Sequence, residues 1–375
     1  MKTTFIITIL MILLNSCNSI SDKLLPVINV DNSYPTKEIA IQDLWEVNYV
    51  PLETDSVFLV PSSAPAYTSR DYVGFINGAS GEILFWNSQT GKKAFRINRK
   101  GAGPEEYKAA GAVAFDEKRN EVYIWSIWDN AIQVYNNLGK YCRTLSLHNV
   151  IKGDFNAITS LINGNDSVLI CSSNNLKGYT LHYYLNKITG NTNLIDSIPQ
   201  DQAVSTYVQD NIDGIPYTIA PTIKPIVKED AHYIYTEQSI DTIYKVTGLE
   251  KKPIVTRMPS VKSIKPVKIL RYHFSTDEWL FLSTVQLTYD FRKKDGLYTQ
   301  YYGIEKESND IYEMKFFNED FLDGDNNLPN QYCTYIRPDI LQDALSNNNL
   351  QGKLKDIAHS IDIEDNGVLM ILRTK

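Results

Sequence analysis

The sequence is poor in the residues that staple chains together and bind metals. Its 375 residues include four cysteines and five histidines. Cys142, Cys171 and Cys333 are scattered, and such an odd set supplies no disulfide framework. His148, His182, His232, His273 and His359 stand apart from any His-Glu-x-x-His or Cys-x-x-Cys pattern, so a zinc hydrolase has no motif here. Ser160, Ser167 and Ser275 lack the Gly-x-Ser-x-Gly elbow of a serine hydrolase. The acidic runs at 320–325 and 364–366 fall short of an EF-hand loop. No metal and no cofactor is expected. Basic residues number 37 against 44 acidic ones, and they form no stripe, so no nucleic-acid partner is expected either. Helical periodicity is nearly missing: past residue 20 only 339–345 carries it, for two turns at most. Without helices between strands, a parallel α/β fold is disfavoured.

The chain does have a distinctive start. Lys2 precedes an apolar run at 5–14 that is too short to cross a bilayer as a helix and reads as a secretory signal. Leu14-Asn15-Ser16-Cys17 has lipobox spacing. Residues 1–16 are therefore expected to be a lipoprotein signal peptide. Cys17 would be the lipidated first residue of the mature chain, because several acyl chains anchor stably where one does not. Residues 17–39 read as a linker and 40–375 as one folded domain.

That domain is rich in strand-forming aromatics, with 24 Tyr and 13 Phe. Short alternating runs at 71–75, 82–86 and 93–98 make one set, and 111–115, 121–125, 131–135 and 141–147 make the next. Further sets fall at 157–196, 203–246 and 267–316. The last set is incomplete, with runs at 355–363 and 368–372. Four-stranded units recurring every roughly 40–50 residues are the pattern of a β-propeller. The fold expected is all-β, with six four-stranded antiparallel blades. The spare strand at 47–52 closes the ring and removes a pair of exposed edges.

The segment 99–107, RKGAGPEEY, is the most specific stretch. Pro104 follows Gly101 and Gly103, and no helix comes after, so this is no dinucleotide fingerprint. Glu105 and Glu106 are adjacent and point apart, which suits a catalytic carboxylate pair poorly. It is expected to be an inter-blade loop built from Arg99, Gly101, Gly103, Pro104, Glu105, Glu106 and Tyr107. The glycines would supply positive φ, an acid would accept loop N–H groups, Arg99 and Lys100 would pair with the acids, and Tyr107 would pack on the next blade. Trp125 and Trp128 are the candidate rim contacts, since exposed aromatic loops suit carbohydrate or protein ligands.

Five pieces carry a resemblance to a known family. They are VNYVPLET at 47–54, the 99–107 segment, SIDTIYKV at 239–246, FFNEDFLDG at 316–324 and IEDNGVL at 363–369. Together they resemble the six-bladed β-propeller lipoproteins of the Bacteroidetes, which are NHL-like. Asp323 and Gly367 depart from that family's usual Gly and Pro. The resemblance implies a propeller over roughly 40–374 and a lipid-anchored place in the cell envelope, at the outer membrane. It implies no particular reaction. The expected work is non-catalytic binding of a carbohydrate or an envelope protein by a monomeric propeller. The alternatives are a glycan-active lyase or hydrolase with a site at the central channel, and a structural part of an outer-membrane assembly.

Overall fold

The structure, a computed structural model, describes residues 24–61, 64–147, 156–175, 178–229, 232–322 and 333–375. It is an all-β six-bladed propeller. Blade one comprises Tyr67–Thr68, Tyr72–Ile76, Ile83–Asn87 and Lys93–Ile97. Blade two comprises Ala110–Asp116, Glu121–Ser126, Ala131–Asn136 and Tyr141–Ser146, and blade three Asn156–Asn163, Val168–Asn175, Tyr179–Asn186 and Thr192–Pro199. Blade four comprises Ile226–Glu229, His232–Tyr235, Thr242–Thr247 and Glu250–Met258, and blade five Lys268–Ser275, Trp279–Gln286, Thr299–Glu305 and Ile311–Phe317. The described strands of blade six are Cys333–Ile336, Val368–Thr374 and Trp45–Pro51. Trp45–Pro51 pairs antiparallel with Val368–Thr374, so strands from the two ends of the chain close the ring.

The apolar pattern follows from stacking blades side by side. The buried residues fall into six clusters, one at each seam between neighbouring blades. In blade two, Val122 and Ile124 face blade one, while Tyr123 and Trp125 face blade three. An inner strand buried on both faces reads as a continuous apolar run rather than an alternating one. The outer strand Tyr141–Ser146 alternates because one of its faces is wet.

Polar latches repeat at the seams. The third strands of blades one to three end in Asn87, Asn136 and Asn186, whose side-chain oxygens each accept two N–H groups of the turn that follows. Each turn ends on a glycine in the left-handed region, Gly91, Gly139 and Gly190, with φ between 71° and 72°. The Gly91 and Gly139 carbonyls accept from Glu53 N and Arg99 Nε of the chain leaving the preceding blade, both at 2.8 Å. Between blades two and three the buried Lys187 ammonium meets Asp116 Oδ2 at 2.6 Å and Asn163 Oδ1 at 2.6 Å.

Three regions differ from the sequence reading. Residues 17–39 are not simply a linker: Val27–Asn29 adds a parallel fifth strand to blade four, and Thr36–Ala40 does the same for blade five. Ile28 is fully buried there and joins the seam between blades four and five. The run 203–208 is not blade four's first strand. Val208–Ile212 pairs instead with Ile215–Ile219 in a separate hairpin, and Glu250–Met258 supplies the outer strand. The run 355–363 is mostly helical. Helix α1 is Ile41–Leu44, α2 is Pro338–Ser346, which covers the expected two turns at 339–345, and α3 is Gly352–Ser360. Leu354 and Ala358, four residues apart, bury one face of α3 against the seam of blades five and six beside Leu341 and Ala344 of α2.

Candidate functional site

Blade topology sorts the loops between the two ends of the ring. In an antiparallel blade numbered from the axis outward, the turns between second and third strands share one end with the links between blades. The other turns lie at the opposite end. The first end receives the 98–109 link, the turn holding Trp128, and two projecting hairpins.

The 98–109 link is a rigid junction between blades one and two. Gly101 N donates to Tyr107 O and Tyr107 N to Arg99 O, both at 3.1 Å. Tyr107 is fully buried; its hydroxyl donates to Gly81 O at 2.7 Å, and burial pushes its pKa up to about 12. Its ring meets Tyr135 edge-on at 6.0 Å, and the Tyr135 hydroxyl donates to Glu105 O at 2.7 Å. Glu106 folds back to accept Gly103 N at 2.8 Å. Gly101 and Gly103 do not have positive φ. What Gly101 supplies is space, since a Cβ there would lie 1.9 Å from Glu106 Oε2. Arg99 and Lys100 do not pair with the glutamates: Arg99 reaches Gly139 O and Lys100 reaches Ala79 O. Pro104 and the Glu105 side chain are exposed at the tip.

The two tryptophans part company. Trp125 is 1% exposed in the seam of blades two and three, so it is no rim contact. Its alternation with Val122 and Ile124 sends it inward. Trp128, in the turn that follows, is 69% exposed at the loop-bearing end. Cys17 and His148 lie outside the described residues.

The two hairpins form an exposed aromatic cluster at this end. One is Val208–Ile212 with Ile215–Ile219, in the link from blade three to blade four. The other, Tyr289–Asp290 with Asp295–Gly296, rises between the second and third strands of blade five. They touch through Tyr217 and Phe291, with ring centres 6.0 Å apart, and through Asp213 and Arg292 at 3.7 Å. Phe291 also meets Tyr289 edge-on at 4.9 Å. Tyr207, Ile215, Tyr217 and Tyr298 are exposed around this contact. Beneath the second hairpin lies an open groove of about 390 Å³ lined by Thr288, Tyr289, Asp290, Lys293, Asp295 and Tyr298. The sequence reading places no strand between 208 and 222 and so misses this hairpin.

Acid–base groups converge elsewhere, and they are sealed. Ser172 Oγ lies 2.9 Å from His182 Nδ1, and His182 Nε2 lies 3.0 Å from Glu237 Oε2. Ser239, in the 239–246 segment, donates its hydroxyl to Glu237 Oε1 at 3.0 Å. The composition is that of a hydrolase triad, yet Ser172, His182 and Glu237 are at most 2% exposed in the seam of blades three and four. A nucleophile must reach a reacting carbonyl, and no substrate reaches this one. The set comes from three separate elements, so no sequence spacing announces it. His273 is also buried, bonded through Nε2 to Ser283 Oγ at 2.8 Å. Burial, with the Arg271 charge nearby, lowers its pKa to about 3. No group of three or more His, Cys, Asp or Glu side chains is placed to hold a metal ion among the described residues.

Comparison with known proteins agrees with this architecture. No curated protein matches the chain. A candidate exported protein of Bacteroides fragilis NCTC 9343 has a similar solved structure, with 15% identity and a TM-score of 0.61 over 93% of this chain and 99% of that one. A DUF4221-family member from Bacteroides vulgatus ATCC 8482 is similar at 12% identity and a TM-score of 0.47, over 88% and 97% of the two chains. The family described as a domain of unknown function, DUF4934, matches residues 25–373, and the chain belongs to it.

Proposed function

We propose that this chain is a non-catalytic binding propeller held at the cell envelope by lipid on Cys17, and that its ligand docks at the end bearing the two hairpins. The observation that carries the reading is the contact of Tyr217 with Phe291, which joins loops of different blades into one exposed aromatic surface. Rigid blades presenting exposed loops are a common way to display a binding surface. The sealed Ser172–His182–Glu237 set gives an enzyme no route to its substrate. The lipobox supports the anchor. The seven residue-to-residue steps from Cys17 to Leu24 would reach at most roughly 25 Å, keeping the ring near the membrane.

Two measurements test the reading. The full chain carrying Cys17→Ser should bind washed envelope preparations saturably and release no soluble product from them. Tyr217→Ala combined with Phe291→Ala should abolish that binding while Leu138→Ala, in an exposed turn at the opposite end, should not. Product release, or binding indifferent to the hairpin changes, overturns it. Mass analysis of the mature amino terminus should find a lipidated Cys17, and an unmodified start at another residue would rule out the anchor.

A further inference from the structure

We infer that the exposed tyrosine face of the paired hairpins, together with the groove beside Tyr298, binds an uncharged saccharide chain, an inference that rests on the binding reading above and names its ligand class. Three observations lead there. The exposed apolar surface of the hairpins is mainly tyrosine: Tyr207, Tyr217 and Tyr298 are 61%, 42% and 57% exposed, with Ile215 the one large aliphatic side chain among them. Phenol rings offer a flat apolar face for the C–H side of a sugar ring and a hydroxyl at the edge.

The second observation is the pattern of acceptors beside those rings. Asp290 Oδ1 takes the N–H groups of Arg292 and Lys293, each at 3.0 Å, which holds its carboxyl below the usual range. Asp295 Oδ2 accepts the Tyr298 hydroxyl at 2.5 Å. Both carboxyl groups are therefore held in place at the groove, each with acceptor capacity left over. Fixed acceptors next to a ring suit a ligand rich in hydroxyl donors.

The third observation is charge. The hairpins and their turns carry four carboxylates, Asp210, Asp213, Asp290 and Asp295, against three cations, Arg292, Lys293 and Lys294. Arg292 faces Asp213, and Lys293 Nζ lies 3.6 Å from Asp290. So balanced a surface attracts neither a polyanion nor a polycation.

Affinity electrophoresis of the Cys17→Ser chain tests this, in gels containing a β-glucan, an α-mannan, a galactan, an arabinoxylan or, as the charged comparison, polygalacturonate. Retardation is expected in at least one neutral gel. Tyr217→Ala with Tyr298→Ala should weaken it at least tenfold, and Asp295→Asn, which keeps the rings, should also weaken it. Both variants should keep the parent melting temperature; should the ring variant fail to fold, Asp295→Asn decides. No retardation in any neutral gel, retardation in polygalacturonate alone, or neutral retardation that these variants leave unchanged overturns the inference. Saturable envelope binding that depends on Tyr217, with no neutral polysaccharide response, overturns the saccharide assignment and leaves the binding reading standing.

Discussion

Replacing Gly91 by alanine should open the seam that closes the ring. Gly91 has φ of 71°, where an L side chain costs about 1 kcal/mol. Its Cβ would fall 1.9 Å from Pro51 O and 2.9 Å from the carbonyl carbon, both backbone atoms of the closing strand. No rotamer relieves that overlap, so the turn must withdraw from blade six. Withdrawal breaks the bond from Glu53 N to Gly91 O, and displacing Glu53 strains the bond from Trp86 Nε1 to Glu53 O. At ~1 kcal/mol for each bond, the total is ~3 kcal/mol before any loss of packing around Trp86. Gly214 supplies the control, with φ of 82° and nothing within 4 Å of a built Cβ. Gly214→Ala should therefore cost only about 1 kcal/mol. Urea unfolding followed by tryptophan fluorescence measures both. Equal losses for the two variants would refute the claim that close approach, rather than backbone angle, fixes glycine at position 91.

Further expectations concern other junctions. Gly101→Ala should cost about 1 kcal/mol by displacing the Glu106 carboxylate from Gly103 N, and close to nothing in a Glu106→Ala background; a double-mutant cycle in urea reads the coupling. Lys187→Met should cost about 3–5 kcal/mol by leaving buried Asp116 without its nearer cation, the Arg119 Nε standing 3.6 Å away, whereas adding Asp116→Leu should recover much of it in the same assay. His273 binds its proton more weakly when folded than the ordinary value of 6.5, so the unfolded chain takes up the extra proton between about pH 6.5 and pH 3. Its contribution is thus complete above pH 6.5 and is lost as pH falls through that window, at up to ~1.4 kcal/mol per pH unit. Thermal melts from pH 7 to pH 4 should fall less steeply for His273→Gln. Ile28→Ala should cost about 2–4 kcal/mol, because this fully buried side chain holds the added strand of blade four in its seam.

Blades two and three were legible in sequence because their strands are long and their internal turns short, so neighbours in the chain are neighbours in the sheet. The same local logic failed where partners are distant. Val27–Asn29 and Thr36–Ala40 pair with residues beyond 250, and three or five residues carry no mark of such a partner. The run 355–363 was misread because its buried residues are few, so a spacing of four was hard to tell from irregular alternation. Of the candidate site, the exposure of Trp128 belongs to its turn, but the exposed position of Tyr298 does not follow from its sequence. Tyr301 and Tyr302 nearby are buried. Ser172 and His182 are cross-strand partners within blade three, but Glu237 joins them only because blades three and four stack, an event no short motif encodes. Left-handed glycines occur not at 101 and 103 but after the Asn-headed turns, where Gly91, Gly139 and Gly190 end the third-to-fourth strand connections.

The path of the amino-terminal strands has a consequence for the order in which the molecule is made. Residues 27–51 leave the ribosome early, yet their pairing partners are Thr256–Met258, Glu313–Phe317 and Val368–Thr374. The last of these pairings joins residues more than 300 positions apart. Blade four lacks its outermost strand until 256–258 are made, blade five until 313–317, and the ring has no closing contact until 368–374. Contacts spanning so much of the chain slow folding. Such a ring stays open while the chain grows, and it shuts only once residues 368–374 are present.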